Sequence, residues 1–389
     1  MNKKVGIVSC YFKKNYGSAL QAYATQRALD GLQIDNETID IRCISKEISR
    51  GKLNYYRRNA FDLSMYSAKK GFARHLLQQR IDPDFKNNMR KRRIAFRQFE
   101  QDNFRMSTRY KSKFELSQAC GNYTDVLVGS DQLWLPLNIE GDYYTLNFVP
   151  SHINKISYAT SFGVPRLPAY LLERAMYFLN RIEHVSVREE SGRRLVREIT
   201  NRDVPVVCDP TMLLTGEQWR DIQQKEPLIK EPYIFCYFLG NNPEHRAFAR
   251  RLKKESGCKI AALRHLDEYI PGDNDFGDFA PYDAGPEDFL NLIKNAEYIC
   301  TDSFHGTTFS ALNNKKFFTF RRFRKANAHS TNTRIEYLLS ALGISDRLLE
   351  GNEDVLRYMS KTIDFSSVNA RMVEIRKSSM DFLITALYQ

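Results

Sequence analysis

The sequence predicts an α/β protein built as two Rossmann-like halves, each an open parallel sheet, facing one another across a cleft. Three observations predict it. Short β-branched runs alternate with helix-period segments along the 389 residues. The strand-like runs repeatedly end on polar residues, as in open parallel sheets whose sites lie outside the carboxyl ends of the strands. One polar stretch with two prolines near its end divides the alternation in two.

The elements follow in order. Lys4–Cys10 is a β-branched run, followed by a polar loop and a helix with Ala or Leu at 19, 20, 22, 24, 28 and 29. Glu37–Cys43 reads as the next strand, which completes a β-loop-α-β opening. An insertion at 51–113 reads as helical over Ser67–Gln79 and Phe85–Asp102. Strands are then predicted at Thr124–Gly129, Lys155–Thr160, His184–Val187 and Val204–Cys208, with helices at Ala169–Ile182 and Glu189–Glu198. After a linker, strands at Pro232–Leu239, Lys259–Leu263, Ala296–Thr301 and Lys316–Phe320 alternate with helices at Pro243–Ser256, Pro286–Asn295, Gly306–Leu312 and Asn332–Ser340. Met372–Leu387 is a terminal amphipathic helix. The domain reading is therefore 1–215, a linker at 216–232, 233–365, and a C-terminal helix within 366–389. Two halves of similar size place the expected site in the cleft between them.

No apolar run reaches the ~18–20 residues a membrane-spanning helix needs. The first ten residues hold too short an apolar run for a signal peptide. A cytoplasmic protein is expected. Seven cysteines, at 10, 43, 120, 208, 236, 258 and 300, include no C-x-x-C pair and read as reduced core residues. The formal net charge is +12, and residues 51–113, with 17 Lys/Arg and 5 Asp/Glu, carry all of it. That segment includes Arg57, Arg58, Lys69, Lys70, Arg90–Arg93 and Arg97 among aromatics such as Tyr55, Tyr56, Phe61, Phe72, Phe96 and Phe99. It suits an anionic membrane face or a lipid-diphosphate-linked substrate. A solvated helical insertion is the plainer reading. Nucleic acid is not expected, because no helix-turn-helix, RNA-recognition or zinc-finger pattern accompanies the charge.

Five stretches carry candidate chemistry. Asn15-Tyr16-Gly17-Ser18, between a strand and a helix, offers backbone N–H groups and a helix dipole to an anion, or is an ordinary capped turn. Gly129-Ser130-Asp131-Gln132-Leu133-Trp134 bunches a carboxylate, an amide and an indole at a strand end. This suits sugar recognition and proton abstraction by Asp131; otherwise Asp131 caps a helix and Trp134 packs. Arg188 follows a strand and either clamps an anion or pairs with a neighbouring carboxylate. Thr301-Asp302-Ser303-Phe304-His305-Gly306-Thr307-Thr308 is the richest stretch. It puts Asp302 and His305 at a strand end, with Gly306 allowing close approach as a helix begins. Arg321, Arg322, Arg324, Lys325, His329 and Arg334 form a basic loop that suits closure over an anionic ligand, or is a solvated charge run. Asp273, Asp275 and Asp278 read as a turn, since Ala284 stands where a calcium loop needs Glu. No metal-ligand cluster is visible.

In sequence order, Asn-Tyr-Gly-Ser-Ala-Leu-Gln-Ala-Tyr-Ala (15–24), Gly-Ser-Asp-Gln-Leu-Trp (129–134), Ser-Tyr-Ala-Thr-Ser-Phe-Gly (157–163), Ser-Val-Arg-Glu-Glu-Ser-Gly (186–192), Asp-Pro-Thr-Met-Leu-Leu (209–214) and Thr-Asp-Ser-Phe-His-Gly-Thr (301–307) resemble the polysaccharide pyruvyl transferase family. The insertion lies outside the resemblance. The resemblance implies a GT-B-like fold and a reaction in which phosphoenolpyruvate gives its pyruvyl group to two hydroxyls of a sugar. A cyclic ketal forms and phosphate is released. The acceptor expected is a capsular, exopolysaccharide or cell-wall precursor, free or lipid-diphosphate-linked, presented near the inner face of the membrane. No cofactor is implied beyond phosphoenolpyruvate as co-substrate. By resemblance Arg188 and His305 hold phosphoenolpyruvate, with His305 a proton-transfer group. Asp131 and Asp302 are the candidate bases. Asn15, Gly17, Ser18, Gln132, Trp134, Ser303, Gly306, Thr307, Arg321, Arg322 and Arg334 are the remaining candidate contacts. Several members carry Arg two residues before the histidine; here Ser303 stands there, so the basic loop must supply the charge or the donor differs. A nucleotide-sugar glycosyltransferase of the same fold is the rival reading.

Overall fold

The computed structural model describes residues 3–60, 63–264, 268–323 and 332–389; of residues 63–70 and 72 it describes the backbone. Phe61, Arg324, Lys325 and His329 thus lie outside the described residues, as do the side chains of Lys69, Lys70 and Phe72. The first half runs β1 (Lys4–Val8), α1 (Tyr16–Gly31), β2 (Asp35–Asp40), α2 (Ser45–Arg58), α3 (Leu63–Ile81), α4 (Pro83–Asn103), β3 (Met106–Arg109), α5 (Lys113–Ala119), β4 (Asp125–Asp131), α6 (Pro136–Gly141), β5 (Asn154–Thr160), α7 (Leu172–Asn180), β6 (His184–Val187) and α8 (Glu190–Thr200). The second runs α9 (Gly216–Arg220), β7 (Tyr233–Tyr237), α10 (Pro243–Ser256), β8 (Lys259–Ala262), α11 (Pro286–Asn295), β9 (Tyr298–Thr301), α12 (Phe304–Leu312), β10 (Lys316–Phe320), α13 (Thr333–Ala341), β11 (Leu348–Leu349), α14 (Val355–Ser360) and α15 (Phe365–Tyr388).

All strands pair in parallel. The first sheet has the order β3-β2-β1-β4-β5-β6, and the second β11-β10-β9-β7-β8. These are the two common doubly wound orders, so the chain is a pair of Rossmann-like domains facing a cleft, the GT-B-like arrangement expected. The central strands β1 and β4 are buried on both faces, because helices cover both sides of a parallel sheet. Among the described residues no helix is long and apolar enough to cross a membrane. Six of the seven cysteines are buried; Cys43 is exposed.

One expected strand is absent, and the linker and the terminal helix make contacts that their sequences did not announce. Val204–Cys208 is not a strand; Val206 makes only a single bridge to Val187. Pro205 inside the run has no N–H to give a ladder, so the run pairs once and turns at Asp209-Pro210. The linker opens with helix α9, capped by Thr215, and buries Trp219 between Tyr23 of the first half and Phe309 of the second, at ring separations of 5.7 and 5.0 Å. Its polar composition hid that one anchor. Finally, α15 returns to the first sheet: Ser379 Oγ accepts from the Cys208 N–H at 2.9 Å, and Asn154 donates to the Ala386 carbonyl.

The basic insertion is more than a solvated appendage. Helix α4 starts at the Asp82 cap with Pro83 at its first position, and buries Phe85, Met89, Arg92, Phe96 and Phe99 along one stripe. Phe96 packs on Tyr16 of α1 at 4.9 Å, while Arg92 donates to the carbonyls of Pro281 and Tyr282 in the other half. α4 therefore ties the two domains together along one side of the cleft.

Candidate active site

The strand order reverses between β1 and β4 in the first sheet and between β7 and β9 in the second. At such a reversal the flanking connections leave on opposite faces and open a crevice at the carboxyl ends. The two crevices meet. Lys13, Lys14, Asn15 and Ser18 after β1, Asp131 at the end of β4 and Gln132 just beyond it, Leu239 after β7, and Ser303, Phe304 and His305 after β9, with Arg322 and Arg334, line a cavity of about 410 Å³. A larger hollow of about 640 Å³, lined by Leu228, Phe279, Pro281 and three aspartates, lies away from the strand ends and gathers no comparable set.

Two helix N-termini face this cavity. Asn15 Oδ1 accepts from the Ser18 N–H at 3.2 Å to cap α1, and Ser303 Oγ accepts from the Gly306 N–H at 3.3 Å to cap α12. Neither helix has an acidic residue in its first turn, so both positive ends stay available to an anion. Gly17 makes their approach possible: a Cβ there would stand 1.9 Å from His305 Nδ1. Gly17→Ala is expected to displace the imidazole and cut turnover by roughly a hundredfold, the usual penalty for a misplaced reacting group. Steady-state rates beside a thermal melt check this.

Behind the cavity a buried carboxylate joins the halves. Arg188 Nη1 donates to Asp209 Oδ2 at 2.9 Å, and His305 Nε2 stands 3.6 Å from the same oxygen. Ser130 Oγ donates to it as well, at 3.1 Å, while Asp209 Oδ1 accepts from the backbone and hydroxyl of Thr211. Arg188 Nη2 lies 3.7 Å from Asp131 Oδ1, and Asp131 Oδ2 accepts from Ser18 Oγ at 2.8 Å. Burial opposes ionisation of both carboxylates. For Asp131, Lys13, then Arg188 and His305, more than offset it; for Asp209, His305 and Arg188 do the same. Both are therefore held well below the usual carboxylate range. Burial, then Arg188, pushes Arg334 down to about 9, and its Nε has no hydrogen-bond partner.

A family model for polysaccharide pyruvyl transferases matches residues 15–322, from the cap of α1 to Arg322 in the cavity wall. The chain belongs to the polysaccharide pyruvyl transferase family. Among curated proteins, none matches the sequence. Solved structures similar to this family member include a UDP-GlcNAc 2-epimerase from Methanocaldococcus jannaschii (14% identity, 100% of each chain covered, TM-score 0.48). Another is a putative UDP-N-acetylglucosamine 2-epimerase from Listeria monocytogenes (11%, 98% of this chain and 90% of that one, 0.49). A third is the glycosyltransferase SsfS6 from Streptomyces sp. SF2575 (10%, 99% of each, 0.44). These similarities are loose, and the fold rests on the strand orders above.

In this pyruvyl transferase family member the expected site residues divide. Asn15, Ser18, Asp131, Gln132, Ser303, His305, Arg322 and Arg334 line the cavity. Arg188 does not: it is buried behind Asp131, its guanidinium 4.7 Å over the Phe304 ring, so it holds carboxylates of the protein rather than an open position for a ligand. Trp134 is fully buried, donates to the Tyr144 carbonyl at 3.0 Å and packs on Phe162 and Phe178, so no sugar reaches its face. Asp302 accepts from the Leu239 and Gly240 N–H groups at 2.6 and 2.9 Å and is fully buried. Its carboxylate fixes the turn after β7, and its backbone carbonyl holds Arg322 Nη2. Gly306 and Thr307 sit inside α12, where Thr307 bonds the Ser303 carbonyl and Thr319. Arg321 turns to Glu336 and Glu350. Lys13, Lys14 and Asp209 were missed as site residues. The lysines read as a polar loop, and Asp209 read only as part of a strand-end motif.

Proposed function

We propose that this protein transfers the pyruvyl group of phosphoenolpyruvate to two hydroxyls of a sugar in a bacterial glycan precursor, closing a ketal and releasing phosphate. One observation carries the reading. Gln132 Nε2 and Arg334 Nε, on residues of the cavity wall, are buried without a hydrogen-bond partner, while His305 Nε2 and Arg322 Nε meet only the carboxylates of Asp209 and Asp302, at 3.6 and 3.7 Å. Buried polar groups are normally satisfied, so converging unsatisfied nitrogens point to an oxygen-rich, anionic ligand. Ser303 supplies no charge where other members carry Arg; Arg322 and Arg334 stand in its place.

In this mechanism the donor phosphate sits at the start of α1 and α12 beside Lys13 and His305, and its carboxylate against Arg334 and Arg322. A proton adds to the methylene carbon, leaving positive charge at C2. The first sugar hydroxyl bonds to C2, the bond from C2 to the phosphate oxygen breaks, and the second hydroxyl closes the ketal. Of the two hydroxyl protons, one balances the proton taken up by the new methyl group and the other leaves with phosphate. His305, oriented by Asp209, is the proton carrier. Asp131, held ionised, is a weak base and serves better to orient the diol and to balance the charge at C2. The acceptor is met in lipid-diphosphate-linked form, with 51–113 turned to an anionic membrane face.

The test is incubation with phosphoenolpyruvate and a panel of synthetic and lipid-linked glycosides, read as a ketal mass gain and phosphate release. His305→Gln is expected to lower turnover by roughly 10²–10⁴-fold, the range for general acid–base groups. Undiminished turnover in that variant refutes its role, and consumption of a nucleotide sugar instead of phosphoenolpyruvate makes the protein a glycosyltransferase.

A further inference from the structure

Flanking its buried stripe, α4 carries a second ordered row. Lys86, Arg90, Arg93 and Arg97 are all exposed and recur at spacings of four, three and four. At ~1.5 Å rise per residue they form one line of cations about 16 Å long. Among the described residues none of the four is in an ion pair; Arg93 meets only Gln79, at 3.3 Å. Phe96, between Arg93 and Arg97, packs on Tyr16, which holds this turn of α4 beside the β1–α1 loop. In that loop Lys14, part of the cavity wall, is lowered by burial and then by Arg93 and Arg97, which places all three cations in one field. Glu100, on the same side of α4, acts on Lys14 and Arg97 and also pairs with Arg42 at 3.3 Å, so its one charge is shared among cations. Like charges that outnumber their acidic neighbours are tolerated where a ligand supplies the remaining counter-charge.

We propose that Lys14, Arg93 and Arg97 form a second anion site at the cavity mouth, continued along α4, which takes the diphosphate linking the acceptor glycan to its carrier. This rests on the pyruvyl-transfer reading of the cavity. It gives the insertion a task in substrate selection: the donor fills the inner cavity, and the diphosphate on α4 sets which sugar of the acceptor reaches it. The diphosphate comes from a polyprenyl or a nucleoside carrier, since both present the same group.

The full chain and its Arg93→Gln/Arg97→Gln variant are titrated by calorimetry with phosphoenolpyruvate alone, then with inorganic pyrophosphate at saturating phosphoenolpyruvate. Both arginines are exposed, so the fold should tolerate the change. Phosphoenolpyruvate affinity is expected to stay within about twofold, and pyrophosphate affinity to fall by at least ~10-fold, as for loss of charge-assisted hydrogen bonds. Unchanged pyrophosphate affinity in the variant overturns the site, as does pyrophosphate that phosphoenolpyruvate fully displaces. If phosphoenolpyruvate does not bind but pyrophosphate still requires the arginines, the donor assignment falls and this site stands. Competition by geranyl diphosphate or by uridine diphosphate upholds the site and identifies the carrier; competition by neither overturns the acceptor role.

Discussion

Arg334→Met is expected to make the protein more stable and nearly unable to use its donor. The arginine is buried, its Nε is unsatisfied, and burial and Arg188 oppose its charge more than Asp131 and Glu189 support it. Taking a guanidinium out of water without a partner is expensive, and replacing buried charge by a well-packed apolar residue often gains ~1–4 kcal/mol. A rise of about 2 kcal/mol in unfolding free energy is expected here, read by urea denaturation. The catalytic effect has the opposite sign. Arg334 is proposed to give the donor carboxylate two charge-assisted hydrogen bonds, each worth ~1.5–3 kcal/mol, so KM for phosphoenolpyruvate should rise by roughly 10²-fold or more. A variant that is less stable, or one that keeps its KM, contradicts the view of Arg334 as a cation waiting for a ligand. Stability given up at a binding site is a common exchange in enzymes.

Asp209→Asn tests the buried junction and has the largest expected structural effect. Asp209 is the acceptor for Arg188 Nη1 and Ser130, and it faces His305. Removing its charge leaves Arg188 with the more distant Asp131 and Glu189, both at 3.7 Å. Breaking a buried pair from one side costs ~3–5 kcal/mol. Its pH dependence has a definite sign. The folded-state pKa of Asp209 is depressed, so its contribution is present above the unfolded value of ~3.9 and is lost as pH falls below it. Unfolding free energies at pH 7 and at successively lower pH should therefore show a steep acid limb in the parent. Asp209→Asn should start lower and fall less steeply. Parallel acid limbs mean that Asp209 does not carry the linkage. Turnover should also fall, and added stabilising osmolyte should restore the fold but not the rate, because His305 loses its orienting charge.

The two predictions concern residues that differed in legibility. Arg334 stood in a basic run that read equally as a lid or as solvated charge. Nothing in its spacing separated it from Arg321, thirteen positions earlier, yet one lines the cavity and the other pairs with Glu336 and Glu350. That choice depends on where β10 and α13 place the two side chains. Asp209 carried no local signal for its partners. It lies 21 residues from Arg188 and 96 from His305, and only the meeting of two domains brings them to one carboxylate. Trp134 misled in the other direction: an indole at a strand end suits a sugar, but a large apolar ring more often supplies core. Asp302 and Arg188 sat where catalytic groups sit in such folds, and the structure uses both to hold other groups in place.

Alternating short strands and helices are a local property of the chain. The two doubly wound halves, the site at the strand ends and the family motifs around Asn15, Asp131 and His305 could therefore be read without coordinates, because side-chain period and turn chemistry are set by near neighbours. Which side chains face the cavity could not. That is set by contacts across the domain boundary: Gly17 against His305, Arg188 and His305 on Asp209, α4 bridging from Tyr16 to Tyr282. Burial and charge pairing act over a few ångströms of space whatever the distance along the chain, so they become definite only once the chain has closed on itself.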